Sequence, residues 1–189
     1  MTDFSEVRKS LLAIHPFSEQ HLVMFTEAMS VKTIEKKDFF LKQNQICGDV
    51  AFILSGSFRL YTETAHNEWT IKFFTENNWI SDLESLMTKQ PSNNYIEAME
   101  PSEIAVITLE NIHQLMERHP SFNMLNSLIA NLTVSTNQLV TLKTKSPDIR
   151  YKELLSQNPE WINRFPQMQI ASYLGMTPET LSRVRARIA

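Results

Sequence analysis

The period of the apolar positions changes twice along this 189-residue chain. Phe4, Val7, Leu11, Leu12 and Ile14, then Leu22, Phe25 and Met29, recur at three- and four-residue steps, which predicts two N-terminal helices. His15-Pro16 should end the first, and Ser18 with Glu19 should open the second. From Val31 the pattern becomes that of strands. "VKTIEKKDFFLKQ", "VAFILSGSFRLYTET", "EWTIKFFTE", "YIEAME" and "EIAVITL" are short runs rich in β-branched and aromatic residues, parted by turn chemistry. Gly56 sits between two strand-like halves, as a tight hairpin requires, and Asn67 in "TAHNEW" suits a second. Such spacing predicts an antiparallel sandwich or jelly roll. The chain holds only three glycines, so Asn44, Asn67, Asn77 and Asn78 are expected at turns where glycine is commoner.

After Glu110 the helical period returns. Leu125, Ile129, Leu132, Thr136 and Leu139 form one strip, and Leu128, Leu132, Ser135, Leu139 and Leu142 form the next. So wide a seam predicts a long helix, at about residues 119–145, that packs against a second copy of itself. A long helix buried in its own domain would show the same pattern. "KSPDIR" then reads as a boundary, with Ser146 and Pro147 at the cap and first position of a new helix. We therefore expect an α+β chain with a β-roll and its long helix over 1–145 and a small all-α domain over 146–189.

Composition alters this picture in one respect. The net charge is -3, yet residues 1–142 carry 10 Lys and Arg against 17 Asp and Glu, whereas residues 143–189 carry 8 against 4. An acidic body with a basic C-terminal section points to a polyanion partner for that section, although a solvated basic face gives the same count. No apolar run reaches the length of a membrane span, and the N-terminus lacks the pattern of a secretory signal. Cys47 is the single cysteine, which excludes an internal disulfide and a thiolate-ligated cluster and favours a cytoplasmic setting. It fits a small buried turn residue, with an oxidation-sensitive thiol as the alternative. His15, His21, His66, His113 and His119 show no ligand spacing, so no metal site is expected. No nucleophile, base and orienter set is apparent, and a cupin-like enzyme would need strand histidines and carboxylates that are missing, so no enzyme is expected.

The candidate chemistry lies in the last twenty residues, "IASYLGMTPETLSRVRARIA". Ala171 is small where two helices must approach, and Gly175 stands where a chain leaving a helix needs positive φ. Thr177, Pro178 and Glu179 supply an N-cap, a first helical residue and a first-turn carboxylate. Leu181, Val184 and Ile188 fall on one face; Glu179, Arg183 and Arg187 fall on another, with Thr180 and Ser182 beside them. That is the layout of a helix-turn-helix presenting polar side chains to a major groove. Arg can grip guanine, Glu can accept from cytosine, and Ser or Thr can hold phosphates. An ordinary surface helix with a Glu179–Arg183 pair is the competing account.

The order of parts, with "FILSGSFRLY" in the roll and "IASYLGMTPETLSR" near the end, resembles the Crp/Fnr family of bacterial transcription regulators over essentially the whole chain, and the second motif is most similar to short members common in Bacteroidetes. The resemblance implies a cyclic-nucleotide-binding-like sensor, a homodimer through the long helix, double-stranded DNA as partner and RNA polymerase as a further one, with no membrane partner. It places Glu179 and Arg183 on base-reading positions, and puts Pro178 where an Arg is often found. The family's nucleotide binders carry a Gly-Glu pair before a short helix and later an Arg followed by Ser or Thr. Here Ser81-Asp82, followed by Leu83, takes the first place and Ser92-Asn93 the second. Asp82 retains the means to hold a ribose hydroxyl, but Ser92 supplies no cation for a cyclic phosphate. Arg59 is the nearest substitute, expected on a strand surface. Cyclic AMP is therefore not the expected ligand, and no cofactor is assigned beyond an unidentified small-molecule effector. Members usually continue into a β-hairpin wing; this chain is expected to lack a full one, which would weaken DNA binding. A sensor or interaction module that no longer binds DNA is the alternative function.

Overall fold

A computed structural model describes residues 2–63, 67–126 and 144–188. The chain divides into two compact units, Met1–Leu60 with Phe73–Thr133 and Tyr61–Lys72 with Val134–Ala189. The expected α+β class is what is found: an antiparallel roll followed by helices.

The N-terminal helices are α1 (Ser5–Ile14) and α2 (Glu19–Glu27), the latter capped by the Ser18 hydroxyl, which accepts from the His21 N–H. Among the described residues eight strands follow: β1 (Ser30–Ile34), β2 (Phe39–Leu41), β3 (Asp49–Ser55), β4 (Phe58–Glu63), β5 (Glu68–Phe74), β6 (Trp79–Ile80), β7 (Asn94–Ala98) and β8 (Ser102–Thr108). A short helix α3 (Leu83–Thr88) separates β6 from β7, and α4 (Leu109–Arg118) with a 3₁₀ turn at Pro120–Met124 follows β8. One sheet runs β1-β8-β3-β6 and the other β2-β7-β4-β5, the layered arrangement of a jelly roll. Antiparallel register is explicit at Val50↔Ile107, Ala51↔Val106 and Phe52↔Ala105.

Strand β3 shows why the first thirty residues are needed. Val50, Ala51, Phe52 and Ile53 are all buried, so this strand is covered on both faces instead of alternating. Its inner side joins Phe58, Phe73, Ile96 and Ile104 in the roll's core. On the other side Trp79 packs edge-on against Phe52 and Phe25, and its indole N–H donates to the Ser10 hydroxyl at 2.7 Å. Helices α1 and α2 thus roof the first sheet.

The turn chemistry is partly as expected. Gly56 has φ +93°, and a Cβ there would lie 2.1 Å from the Ser102 Oγ, so glycine is required on two grounds. Asn44 and Asn77 adopt positive φ, and Lys37 and Lys89 do so as well, which the sequence did not suggest. The tip of the "TAHNEW" hairpin lies outside the described residues.

In the second unit, α5 (Pro147–Gln157) opens as expected, the Ser146 hydroxyl accepting from the Ile149 N–H with Pro147 in the first turn. Helices α6 (Trp161–Arg164), α7 (Gln167–Tyr173) and α8 (Pro178–Ile188) complete it. Its buried apolar residues include Tyr61, Tyr151, Leu154, Trp161, Phe165, Ile170, Ala171, Leu174, Leu181 and Val184, with Trp161 edge-on to Phe165 and Tyr173.

Of the eight residues expected at a dimer seam, Leu128, Ile129, Leu132, Ser135, Thr136, Leu139 and Leu142 lie outside the described residues. Leu125 is a correction: it is fully buried within its own chain, which leaves it no surface to offer a second copy.

Candidate nucleic-acid interface and ligand cassette

The turn between α7 and α8 is a Schellman motif. The Met176 N–H donates to the Ala171 carbonyl and the Gly175 N–H to the Ser172 carbonyl, both at 3.0 Å, with Gly175 at φ +61°. Two further carbonyls at this helix end, those of Leu174 and Gly175, accept from the Arg150 guanidinium, the second at 3.2 Å. Arg150 reaches them from α5 and is buried in doing so. A cation at a helix C-terminus is favourably placed against the helix dipole as well as hydrogen-bonded. The turn is therefore fixed from both sides, by glycine's conformational freedom and by a buried charge.

Helix α8 starts from the Thr177 hydroxyl, which accepts from the Thr180 N–H at 3.2 Å. Leu181 and Val184 point into the unit, while Thr177, Pro178, Glu179, Ser182, Arg183, Ala186 and Arg187 are exposed. At 100° per residue, Glu179, Ser182, Arg183, Ala186 and Arg187 share one face, with Thr180 at its margin and half-buried. Four of the six residues expected to face DNA, Glu179, Ser182, Arg183 and Arg187, thus share that face, with Thr180 at its margin and Thr177 at the helix cap. Glu179 titrates below its ordinary range, chiefly through a hydrogen bond with the Thr177 side chain, helped by a backbone N–H and the Arg183 charge. Arg183 folds back so that its Nε donates to the Glu179 carbonyl at 3.3 Å. Arg187 is held by both carboxylate oxygens of Asp148 on α5, at 2.8 and 3.1 Å. Asp148 and Arg150 were not legible as site residues, because their partners lie 39 and 24 positions away.

The cassette region is closed on itself. Asp82 caps α3, its Oδ1 accepting from the Ser85 N–H at 3.2 Å, while Oδ2 accepts from the Ser92 hydroxyl at 2.5 Å and the Asn94 side-chain amide at 3.0 Å. Asp82 is only 6% exposed. Its carboxylate occupies the junction of helix N-terminus and neighbouring donors that an anion would otherwise use. The expectation that Asp82 could serve a ribose hydroxyl is corrected on this point, since both oxygens already serve the fold. Ser81 is buried, its hydroxyl donating to the Asp49 carbonyl at 2.9 Å, with the buried Cys47 sulfur 3.3 Å away. Leu83 is half-buried and Asn93 exposed. Arg59 is a second correction: it is 2% exposed, buried on β4 and not on a solvated strand surface. Its neighbours Phe58 and Leu60 are buried too, so this strand does not alternate as the sequence pattern assumed.

Among the described residues no three His, Cys, Asp or Glu side chains converge as a metal set. His15, His21 and His119 instead pack around Phe17 and Phe122 at the base of α2. No helix among the described residues is long and apolar enough to cross a membrane.

The roll and the helices after it make an α+β fold of the cyclic nucleotide-binding type. Residues 31–119 match the family model of the cyclic nucleotide-binding domain. Several solved structures match most of the chain. A CooA mutant from Carboxydothermus hydrogenoformans shares 18% identity at TM-score 0.71, covering 99% of this chain and 84% of that one. FixK2 from Bradyrhizobium japonicum shares 14% at TM-score 0.71, covering 85% and 84%. The c-di-GMP-responsive global regulator CLP from Xanthomonas campestris shares 15% at TM-score 0.64, covering 90% and 91%. No curated protein matches the chain.

Proposed function

We propose that this chain is a DNA-binding transcription regulator of the Crp/Fnr type, acting in the cytoplasm as a homodimer, with RNA polymerase as a further partner. Residues 146–189 form its DNA-binding domain, and the dimerisation segment follows the 3₁₀ turn at Pro120–Met124, so that the expected start at residue 119 is too early. The observation that carries the reading is the exposed face of α8, where Glu179, Ser182, Arg183 and Arg187 stand on a capped helix behind a Schellman turn. Arg183 and Glu179 read base edges, and Thr177, Thr180, Ser182 and Arg187 contact the backbone. Two copies in a dimer would present two such helices to half-sites one helical turn apart.

The roll does not take cyclic AMP in this reading. A cyclic phosphate brings a negative charge and needs a cation and free N–H groups. At the corresponding place Asp82 already carries the charge and consumes the donors of Ser85, Ser92 and Asn94. An effector, if one acts, is of other chemistry.

Fluorescence anisotropy with duplex DNA from the region upstream of the protein's own coding sequence tests the first claim. Saturable binding is expected, weakened about fivefold or more in Arg183→Ala, since a bidentate base contact is worth about 1–3 kcal/mol. Absence of saturable binding at low salt overturns it. Thermal melts with millimolar cyclic AMP test the second claim; the midpoint should stay in place, and a rise of several degrees contradicts it.

A further inference from the structure

Two imidazoles face each other where α2 meets the end of α4. The ring centroids of His21 and His119 lie 5.5 Å apart, with 57° between the ring planes. Both rings rest on a dry aromatic floor. Phe122, 1% exposed, packs edge-on to His21 at 5.3 Å and to His119 at 6.2 Å, and Phe17 stacks on Phe122 at 5.7 Å. The backbone under each ring is tied down as well. The His21 N–H donates to the Ser18 hydroxyl at 3.3 Å, and the His119 N–H donates to the Leu115 carbonyl at 3.0 Å.

Packing on phenylalanine accounts for where the rings sit but not for their nitrogens. Each imidazole carries two, and among the described residues neither ring has a hydrogen-bond or ion-pair partner. Both residues are half-buried, so the pair stays open to an ion from solvent. Two imidazole nitrogens about 2.0–2.1 Å from one ion, at a tetrahedral angle, put their ring centroids about 5 Å apart. The backbone therefore already holds the rings at chelating separation. We propose that His21 and His119 bind a divalent first-row transition-metal ion of the zinc type, with water completing its shell. Imidazole suits this class of ion, whereas magnesium and calcium prefer oxygen. Resident structural sites use four protein ligands, and no third His, Cys, Asp or Glu joins this pair among the described residues. The ion is thus an exchangeable one, whose occupancy follows its free concentration. Its place gives it an effect: His119 leads into the 3₁₀ turn at Pro120–Met124, and an ion shared with His21 ties that turn to α2. The proposal stands independently of the DNA-binding reading.

The metal-stripped full chain is titrated with zinc chloride in a calorimeter, and its histidine ring resonances are followed by NMR. Saturable uptake of a single ion per chain is expected, with the His21 and His119 rings shifting together and the exposed His113 staying in place. Magnesium chloride should move neither ring. His21→Asn and His119→Asn should each weaken zinc binding at least about tenfold, a loss that even outer-shell changes can reach. Zinc should raise the melting midpoint of the parent and not of the variants. No saturable zinc binding, binding that both Asn variants retain, or shifts centred on other histidines overturns the site. The ring shifts are read on the parent, so they decide the matter even where a variant folds poorly.

Discussion

Replacing Arg150 by Met tests whether the reading helix is held in place by a buried charge on α5. The substitution keeps the length and apolar stem and removes the guanidinium. Two hydrogen bonds to the Leu174 and Gly175 carbonyls are lost. Bonds to a charged group contribute about 1.5–3 kcal/mol each, so the gross loss is about 3–6 kcal/mol. Against this, the Arg150 Nε–H is buried without an acceptor among the described residues, a feature that costs about 1–3 kcal/mol and disappears in the variant. Taking the middle of each range, the net destabilisation is about 2–3 kcal/mol. In a small domain that corresponds to a fall in melting midpoint of roughly 10 °C or more. Calorimetry of the full chain should show it, together with faster exchange of the amides over 166–188. Arg150→Lys should fall between, because an ammonium keeps the charge but not the fork. A Met variant within about 0.5 kcal/mol of the parent would refute the claim that this guanidinium fixes the turn.

Gly175→Ala forces a side chain into the left-handed region and should cost about 1–2 kcal/mol by denaturant melts; Gly56→Ala should cost more, because its Cβ also meets Ser102. Asp82→Ala strands the donors of Ser85, Ser92 and Asn94 and should destabilise the roll by about 2–4 kcal/mol in calorimetry. The lowered pKa of Glu179 means that its contribution to α8 is present above the ordinary carboxylate range and fades as pH falls through the folded value; NMR titration should show Glu179 moving back up in Thr177→Ala. Asp148→Asn removes the charge that holds Arg187, and should steepen the salt dependence of DNA binding as Arg187 turns to a phosphate.

The fold was legible because its signals are local. Ser18, Ser146 and Thr177 cap the helices that follow them, Gly56 and Gly175 take positive φ, and His15 ends α1, all as residue type and spacing suggest. The exposed face of α8 followed from a 100° step. What the sequence could not show were bonds between distant positions. Arg150 and Asp148 read as helix-surface charges until the turn and Arg187 were brought to them. Arg59 was misplaced because alternation is a rule for strands with one wet face, and β4 has four buried residues in succession. Asp82 was judged by its alignment to a ligand-binding position, whereas Ser92 and Asn94 turn its carboxylate into a structural acceptor.

The central claim is that α8 reads DNA, and a salt titration of binding to the upstream duplex tests it most directly. The account predicts saturable binding whose logarithm falls linearly with log salt, with Arg183→Ala losing discrimination between that duplex and a scrambled one. Equal, weak binding to both duplexes by parent and Arg183→Ala, or no binding at about 50 mM salt, would contradict it.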